Sequence, residues 1–488
     1  MLFNSYTYIL AFFPLVALIY FSLSRARLTL AAKAFLVIAS LVFYGWWNPA
    51  YVPLLVCSIL FNYAVGGVLA KTPGQAGGAS KKAVLILGLA GNIAGLCYFK
   101  YANFLLQIVG AALGADLPVL PIVLPLGISF FTFTQIAYLV DAYLGQTREY
   151  DFLNYLLFVT FFPHLLAGPI LHHAEMMPQF DRLKNKIFQR RNLSLGMALF
   201  FVGLFKKTAL ADLFAGYANV GFEHPEHLSA VEAWVTSLSF SLQLYFDFSG
   251  YTDMALGGAR ILGIRMPVNF NSPYKALNIQ DFWRRWHITL SRFLRNYVYI
   301  PLGGNRSGEA RTLANLFLTF LIGGIWHGAG YTFLAWGALH GAAIVVHRLW
   351  IKCRIKLPRA LAWLLTFGFV NLAWVFFRAR NFTAAADMLR AMAGIERPFT
   401  LPNYWFPDLG HLRESGWQFG YFWERGEVYW HPIALISFFL LWTVFARNSN
   451  VFIEKFKPDW PTAAVLAAMT AYGLMCVMHT SEFLYFQF

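Results

Sequence analysis

Two histidines in strongly apolar sequence are the residues best suited to do chemistry in this chain. His327 lies in the stretch Leu-Ile-Gly-Gly-Ile-Trp-His-Gly-Ala-Gly, residues 321–330. An ionisable group at membrane depth is costly and by default indicates a pathway or an active site. Because the unperturbed pKa of histidine is about 6.5, its ring can accept and return a proton at neutral pH. His327 is therefore a candidate general base; the alternative is a structural histidine bonded to a neighbouring carbonyl.

The second histidine, His287, belongs to the segment 281–295, which the sequence predicts to be one amphipathic helix. At about 100° per residue, Arg285 falls on the polar face and Arg284 at its edge. Trp283 and His287 fall on the opposite, apolar face. Two interpretations stay open. The helix lies at the cytoplasmic interface, or its arginines also hold an anionic donor such as coenzyme A while His287 faces the chemistry.

Further polar residues in apolar surroundings fit a cavity around these histidines. The candidates for donor binding or for lining a tunnel, besides the arginines and Trp283, are Asp247, Asn269, Asn271 and Trp326. Pro273, which follows the two asparagines, predicts a break in the helix there. Turns and buried hydrogen bonds are an alternative explanation that needs no ligand. The four cysteines are scattered, so we predict neither a disulfide framework nor a metal site.

The sequence around these residues is that of a membrane protein. Hydrophobic residues make up 58% of the chain, aromatic residues 18% and charged residues only 12%. A soluble domain typically carries about twice that charge. Many apolar stretches approach the roughly 20 residues that span a bilayer, and they lack the alternation of a β-barrel wall. We expect an all-α polytopic protein with about eleven to thirteen spans, some of them broken or re-entrant.

The excess of basic residues predicts the orientation in the membrane. The net charge of +15 is typical of a multispanning protein with basic cytoplasmic loops. No basic domain stands apart that would bind nucleic acid. The loops 25–33, 71–82 and 347–359 carry clusters of Lys and Arg and are predicted to be cytoplasmic. The N-terminus and the C-terminus are then both periplasmic, in a multi-pass protein of the bacterial inner membrane surrounded by lipid.

Ionisable residues in apolar sequence are concentrated in the middle of the chain. We therefore predict that the chain divides into a functional centre and a set of transmembrane helices on each side of it. Residues 1–150 are predicted to be N-terminal transmembrane helices, 151–347 the catalytic core, and 348–488 the C-terminal transmembrane helices. The last part contains a predicted periplasmic segment, about 380–431, and an aromatic tail, 481–488. No internal repeat of the kind found in many transporters is visible.

At these residues the chain resembles the membrane-bound O-acyltransferase family, and within it the bacterial alginate O-acetyltransferase subunits. The stretches that carry the resemblance, in order, are 98–104, 124–130, 162–169, 243–253, 282–291, 302–306 and 323–328. The resemblance implies a ring of helices around a thin central region, where a cytoplasmic funnel meets a periplasmic one. It also implies that His327 is the invariant histidine of the family and His287 the second catalytic residue.

The reaction implied by the family is transfer of an acyl group from a thioester to a hydroxyl, without a bound cofactor. The expected donor is acetyl-CoA, or alternatively an acyl carrier protein thioester. The expected acceptor is alginate or a similar exopolysaccharide, with peptidoglycan as the alternative, and a periplasmic SGNH-type acetyltransferase is the expected partner. Two other interpretations stay open: an acyltransferase that uses longer acyl donors, and, in a different class, a proton-coupled transporter.

The chain ends in Ser-Glu-Phe-Leu-Tyr-Phe-Gln-Phe, directly after the last predicted span. One interpretation is a cluster of aromatic belt residues at the membrane interface. The other is that the tail resembles the aromatic C-terminal motif of the small partner peptide in the related D-alanylation system. That resemblance implies that Tyr485 carries the acyl group between two transfers.

Overall fold

The computed structural model describes residues 1–71, 79–147, 151–395, 430–479 and 483–484. Across these ranges the regular structure is helical and contains no strand, which confirms the prediction of an all-α protein. Most of the predicted periplasmic segment 380–431 lies outside the described residues. The same holds for the aromatic tail apart from Phe483 and Leu484, so Tyr485 is not among the described residues.

The N-terminal part of the chain contains one long apolar helical segment that is interrupted by a π-helical turn. The helices are α1 (Phe13–Arg25), α2 (Thr29–Gly45), α3 (Val52–Lys71), α4 (Ala79–Leu96), α5 (Ala102–Leu113) and α6 (Ile128–Tyr143). A π-helical turn, Cys97–Tyr101, joins α4 to α5 and contains Lys100. Single π turns inside helices are frequent at functional sites.

The central and C-terminal parts of the chain continue the helical structure. The central helices are α7 (Phe152–Thr160), α8 (Phe162–Leu165), α9 (His173–Asp181), α10 (Arg190–Phe205), α11 (Asp212–Glu223), α12 (Ala230–Ile261), α13 (Ile279–Arg285), α14 (Ile288–Leu294), α15 (Gly308–His327) and α16 (Tyr331–Lys352). The C-terminal helices are α17 (Arg359–Arg378), α18 (Phe382–Met392), α19 (Trp430–Phe445), α20 (Ser449–Glu454) and α21 (Trp460–Cys476).

Several of these helices are long and apolar enough to cross a bilayer. In the described part of the chain there are six such segments: Thr7–Arg25, Pro49–Lys71, Ser80–Leu113, Arg190–Glu223, Tyr331–Lys352 and Arg359–Arg378. Three shorter apolar helices are Thr29–Gly45, His431–Phe445 and Trp460–Cys476. The protein is therefore a polytopic membrane protein. The total of eleven to thirteen spans stays a prediction, because length and hydropathy alone do not identify helices that carry buried polar groups.

Helix α12 forms the centre of the fold, because glycines let α10 pack directly against it. A Cβ atom added at Gly203 would lie 2.6 Å from the carbonyl oxygen of Gly250, and one added at Gly257 would lie 2.6 Å from that of Gly196. Small residues of this kind allow membrane helices to approach closely. Almost every residue of α12 is buried as a result, including its acidic side chains. A carboxylate buried so deeply needs partners from neighbouring helices.

The prediction of one continuous helix over 281–295 is wrong. The segment forms two short helices, α13 and α14, separated by Trp286 in extended conformation and His287 in the left-handed region, with φ of 44°. The break is stabilised by the chain that precedes it. The carbonyl of Arg285 accepts from the N–H of Asn271 at 2.9 Å, and the N–H of Ile288 donates to the carbonyl of Asn269 at 3.0 Å. These long-range backbone bonds replace those that an uninterrupted helix would make.

Candidate active site

His327 is the last residue of α15 and lies inside the protein. Its ring is 4% exposed and is surrounded by aromatic rings, with centroids 4.9 Å from Trp326, 4.9 Å from Trp336 and 5.3 Å from Phe377. Together with Lys100 it also borders a cavity of about 30 Å³. His327 is therefore buried beside a small cavity, a position compatible with the catalytic role predicted for it.

Lys100 holds the backbone that carries His327. Its Nζ donates to the carbonyl of Trp326 at 2.7 Å and to that of His327 at 2.9 Å. The last carbonyls of a helix lack partners within the helix, and a cation there also interacts favourably with the helix dipole. Sequence reasoning missed this residue. The available signal was a lysine at 100 in the middle of an apolar stretch that matched the family.

His287 is fully buried in the break between α13 and α14. Its Nδ1 lies 3.2 Å from Oδ1 of Asn269, and the same Oδ1 accepts from the N–H and the hydroxyl of Thr289 at 3.1 and 2.9 Å. Because a backbone N–H can only donate, that amide atom is an oxygen, and Nδ1 of the neutral ring carries the proton. Nε2 is then the basic nitrogen. The left-handed backbone of His287 is a strained conformation of the kind found at functional sites.

Trp326 brings the two histidines into one site. Its ring centroid lies 4.9 Å from that of His327 and 6.2 Å from that of His287. On its other side, His287 meets the ring of Phe248, which stands perpendicular to the imidazole at 4.7 Å. Two residues 40 positions apart in the chain thus share one aromatic partner. The sequence identified both histidines as candidate catalytic residues, and in the structure both contact the ring of Trp326.

A larger cavity of about 390 Å³, called here the basic cavity, is lined by residues of α13, α14, α15 and α16. Its polar lining includes Arg284, Arg295, His347 and Arg348. It lies against the end of α16 that leads into the basic loop 347–359, the end predicted to be cytoplasmic. A pocket of this size, with arginines at its wall, fits an anionic ligand.

Aromatic contacts connect the basic cavity to His327. Trp283 lines the cavity and meets the ring of Trp336 at 5.8 Å, and Trp336 in turn meets His327 at 4.9 Å. The indole N–H of Trp283 donates to Nδ1 of His340 at 3.2 Å. His340 is a third fully buried histidine of this region, and sequence reasoning did not identify it.

Two predicted ligand residues have other partners. Arg285 pairs with Asp281, Nε to Oδ1 at 2.9 Å, and its Nη1 lies 3.4 Å from the carbonyl of Asn271. The side chain of Asn271 accepts from Nδ2 of Asn448 at 2.8 Å. Arg285 and Asn271 do not line the basic cavity. Their described hydrogen bonds lead to other residues and not to a histidine ring. Their contacts support the backbone around the break instead.

Asp247, predicted to line the donor tunnel, contacts the end of the chain. Its Oδ1 lies 2.8 Å from Nζ of Lys207, and its Oδ2 accepts from the N–H of Leu484 at 2.9 Å. Phe483 stacks on Tyr251 with ring centroids 4.4 Å apart. Both tail residues are buried, at 2% and 4% exposure. The segment that immediately precedes Tyr485 is therefore inserted beside α12.

The tail reaches the neighbourhood of the histidines. The ring of Phe483 lies 5.7 Å from that of Phe248, and Phe248 is the ring that contacts His287 at 4.7 Å. One aromatic side chain thus separates the described end of the tail from the second histidine. Phe483 itself is therefore buried in the protein and is not an exposed residue of an aromatic belt.

Comparison with known proteins shows which family and which relatives this chain resembles in sequence. The model of the MBOAT, membrane-bound O-acyltransferase, family matches residues 93–385, which include Lys100, His287 and His327. A peptidoglycan O-acetyltransferase from Helicobacter pylori is 44% identical over an alignment of 527 residues, covering 100% of this chain and 98% of that protein. A probable alginate O-acetylase AlgI from Pseudomonas aeruginosa is 38% identical, over 86% of this chain and 79% of that protein.

A more distant relative acts on a different group. A teichoic acid D-alanyltransferase from Bacillus subtilis is 29% identical over 53% of this chain and 69% of that protein. The shared part of the chain is thus found in proteins whose names describe transfer of acetyl and of D-alanyl groups.

A substitution at Asn269 tests whether its contact with His287 is needed for activity. Asn269→Ala removes the oxygen that fixes the tautomer of His287, so we expect kcat to fall about 10²-fold, with little change in KM for the donor. The matched control is Asn271→Ala, two positions further on, which loses only the contact to Asn448 and should retain most of its activity. Equal losses in the two variants, with equal thermal stability in detergent, would contradict the assigned role of Asn269.

Proposed function

The chain belongs to the membrane-bound O-acyltransferase family and is the membrane subunit of an O-acetyltransferase, and we propose that it passes acetyl groups from a cytoplasmic thioester through the inner membrane to a cell-wall glycan. The observation that supports this most directly is the shared contact of Trp326 with His287 and His327. On one side of this pair lies the basic cavity, connected through Trp283 and Trp336.

The donor of the acetyl group is acetyl-CoA, bound in the basic cavity. Its phosphates are recognised by Arg284 and Arg295 at the cavity wall. The third arginine of the wall, Arg348, pairs with Glu309 through Nε and Nη2 at 2.8 and 3.2 Å. The pantetheine arm extends past Trp283 toward His327, so that the thioester reaches the histidines and the nucleotide stays on the cytoplasmic side. The predicted cytoplasmic location of the loop 347–359 supports this direction.

Acetyl transfer takes place in two steps, with Tyr485 as the intermediate carrier. In the first step the phenol oxygen of Tyr485 attacks the thioester carbonyl carbon while His327, positioned with His287, accepts the phenolic proton. The carbon–sulfur bond then breaks, and the sulfur takes the proton from the imidazolium to give the free CoA thiol and O-acetyl-Tyr485. In the second step an acceptor hydroxyl attacks this ester, and its proton returns to the phenol.

The burial of the tail supports the use of Tyr485. One aromatic ring, that of Phe248, separates Phe483 from His287, and Tyr485 follows Phe483 by two positions in the sequence. An aryl ester is a more activated acyl donor than an alkyl ester, so acetyl can pass from it to an aliphatic hydroxyl. The tail then serves as a carrier that remains covalently attached to its enzyme.

The acceptor is peptidoglycan, and alginate or a similar exopolysaccharide is the alternative. The match to the peptidoglycan O-acetyltransferase extends over the whole chain, whereas the match to the alginate O-acetylase covers 86% of it. A periplasmic SGNH-type acetyltransferase takes the acetyl group from Tyr485 and transfers it to the sugar. This requires both ends of the chain to be periplasmic and the protein to lie in the inner membrane, as the basic loops predict.

Arg284 provides the test of the donor site. Arg284→Gln should raise KM for acetyl-CoA about tenfold with kcat nearly unchanged, because it removes binding that is equal in the ground state and the transition state. Arg285→Gln is the matched control, since its side chain pairs with Asp281 and should leave KM unchanged. With acetyl-pantetheine, which lacks the nucleotide phosphates, the two variants should behave alike. An unchanged KM in Arg284→Gln, or an acyl carrier protein thioester used in preference to acetyl-CoA, would contradict this donor site.

Tyr485 provides the test of the carrier. Wild-type protein incubated with isotopically labelled acetyl-CoA should yield a C-terminal peptide heavier by one acetyl group in mass spectrometry. Tyr485→Phe should show neither this peptide nor transfer to the glycan. The matched control is Tyr472→Phe on α21, where the side chain is 54% exposed and should not affect transfer. Full acetylation by Tyr485→Phe would exclude the tail as a carrier.

A further inference from the structure

Two of the buried carboxylates of helix α12, Asp247 and Asp253, each pair with a lysine from one π-helical turn. The turn Lys206–Ala211 directs consecutive lysines toward α12. Lys206 pairs with Asp253, Nζ to Oδ2 at 2.6 Å, and Lys207 pairs with Asp247 at 2.8 Å. The two ion pairs are similar in chemistry and join the same two elements, and the Lys207–Asp247 pair is the more deeply buried.

The two lysines differ in the number of carboxylates that they pair with. Lys207 also lies 3.0 Å from Oδ1 of Asp212, so its single positive charge faces two carboxylates. Among the ion pairs of the described residues, Lys206 pairs with Asp253 alone. The ammonium of Lys207 is thus shared between Asp212 and Asp247. A buried carboxylate is stabilised by additional hydrogen-bond donors.

The end of the chain provides such a donor. The backbone N–H of Leu484 donates to Oδ2 of Asp247 at 2.9 Å. Hydrogen bonds to an ionised acceptor are about twice as strong as those between neutral groups. Because the donor is main chain, the bond anchors the tail beside α12 whatever the side chain at position 484, and the choice of register is left to side-chain contacts.

Aromatic rings complete the surface that receives the tail. Tyr251 lies one helical turn beyond Asp247 and stacks on Phe483, with ring planes inclined by 21°. Phe248 packs against the same ring at 5.7 Å. One polar anchor and two aromatic contacts thus converge on two adjacent residues of the tail. Such a combination is typical of peptide recognition, in which main-chain bonds provide affinity and pockets provide selectivity.

We propose that Asp247, held by Lys207 and flanked by Phe248 and Tyr251, is a docking site for the C-terminal segment that sets the register of the residue following Leu484. Asp247 is a positioning residue in this role and does not touch the reacting atoms. The importance of that register for acetyl transfer rests on the function proposed above for Tyr485. The docking itself does not depend on that function and can be measured without it.

Two isosteric substitutions on α12 test the docking site. In Asp247→Asn the charge that attracts the N–H of Leu484 and the pair with Lys207 are lost. Purified protein in detergent is treated with carboxypeptidase, and the loss of C-terminal residues is followed by intact mass. We expect release of the residues up to Leu484 to be at least about tenfold faster than in the wild type. Asp253→Asn, which disrupts the neighbouring pair, should show the wild-type rate.

A substitution in the tail makes the test independent of the fold of α12. Phe483→Ala removes the ring that stacks on Tyr251 and leaves every residue of α12 unchanged, so it decides the question if Asp247→Asn does not fold. It should also accelerate release of the tail. Unchanged protection of the tail in Phe483→Ala and in folded Asp247→Asn would overturn the docking site.

Acetyl transfer measured on the same samples separates the two proposals. If the register matters, Asp247→Asn should lower kcat for acetyl transfer with KM for acetyl-CoA unchanged, and Asp253→Asn should lower neither. A tail that is released faster while transfer continues at the wild-type rate would support the docking site and overturn the role of Tyr485 as carrier.

Discussion

The bond between the Lys100 ammonium and the last two carbonyls of α15 is the interaction on which the site depends. A helix that ends inside an apolar protein leaves carbonyl groups without partners, and each of them is costly there. Lys100 satisfies two of them, at 2.7 and 2.9 Å. This allows α15 to end at His327, beside a cavity, instead of continuing to the membrane surface. The imidazole, its aromatic surroundings and the connection to the basic cavity all follow from that position.

Two further buried polar groups, His287 and Asp247, are also stabilised by hydrogen-bond or ion-pair partners from other parts of the chain. The break before α14 places His287 in a left-handed conformation, which Asn269 offsets with one oxygen that serves three donors. The carboxylate of Asp247 is balanced by Lys207 and by the end of the chain. In each case a group that would be unstable in lipid is stabilised by a partner far away in sequence. These partners are also the groups that define the site.

Much of this could be predicted from the sequence, and the remainder could not for a physical reason. Composition established the helical membrane class, and the rarity of ionisable residues in apolar sequence identified His287 and His327. The split of the segment 281–295 was missed, because helical periodicity does not reveal backbone bonds to Asn269 and Asn271. The roles of Lys100 and Asp247 were missed for the same reason. Each is defined by a contact across more than 200 residues, which no local pattern records.

The central claim is that the acetyl group crosses the membrane while its carrier CoA does not. Vesicles reconstituted with the protein and loaded with doubly labelled acetyl-CoA would test it directly, with the periplasmic partner and a peptidoglycan oligosaccharide outside. We predict that labelled acetyl appears on the external glycan while labelled CoA stays inside, and that His327→Ala abolishes the transfer. Release of CoA together with the acetyl group, or transfer only when donor and acceptor share one side, would contradict this account.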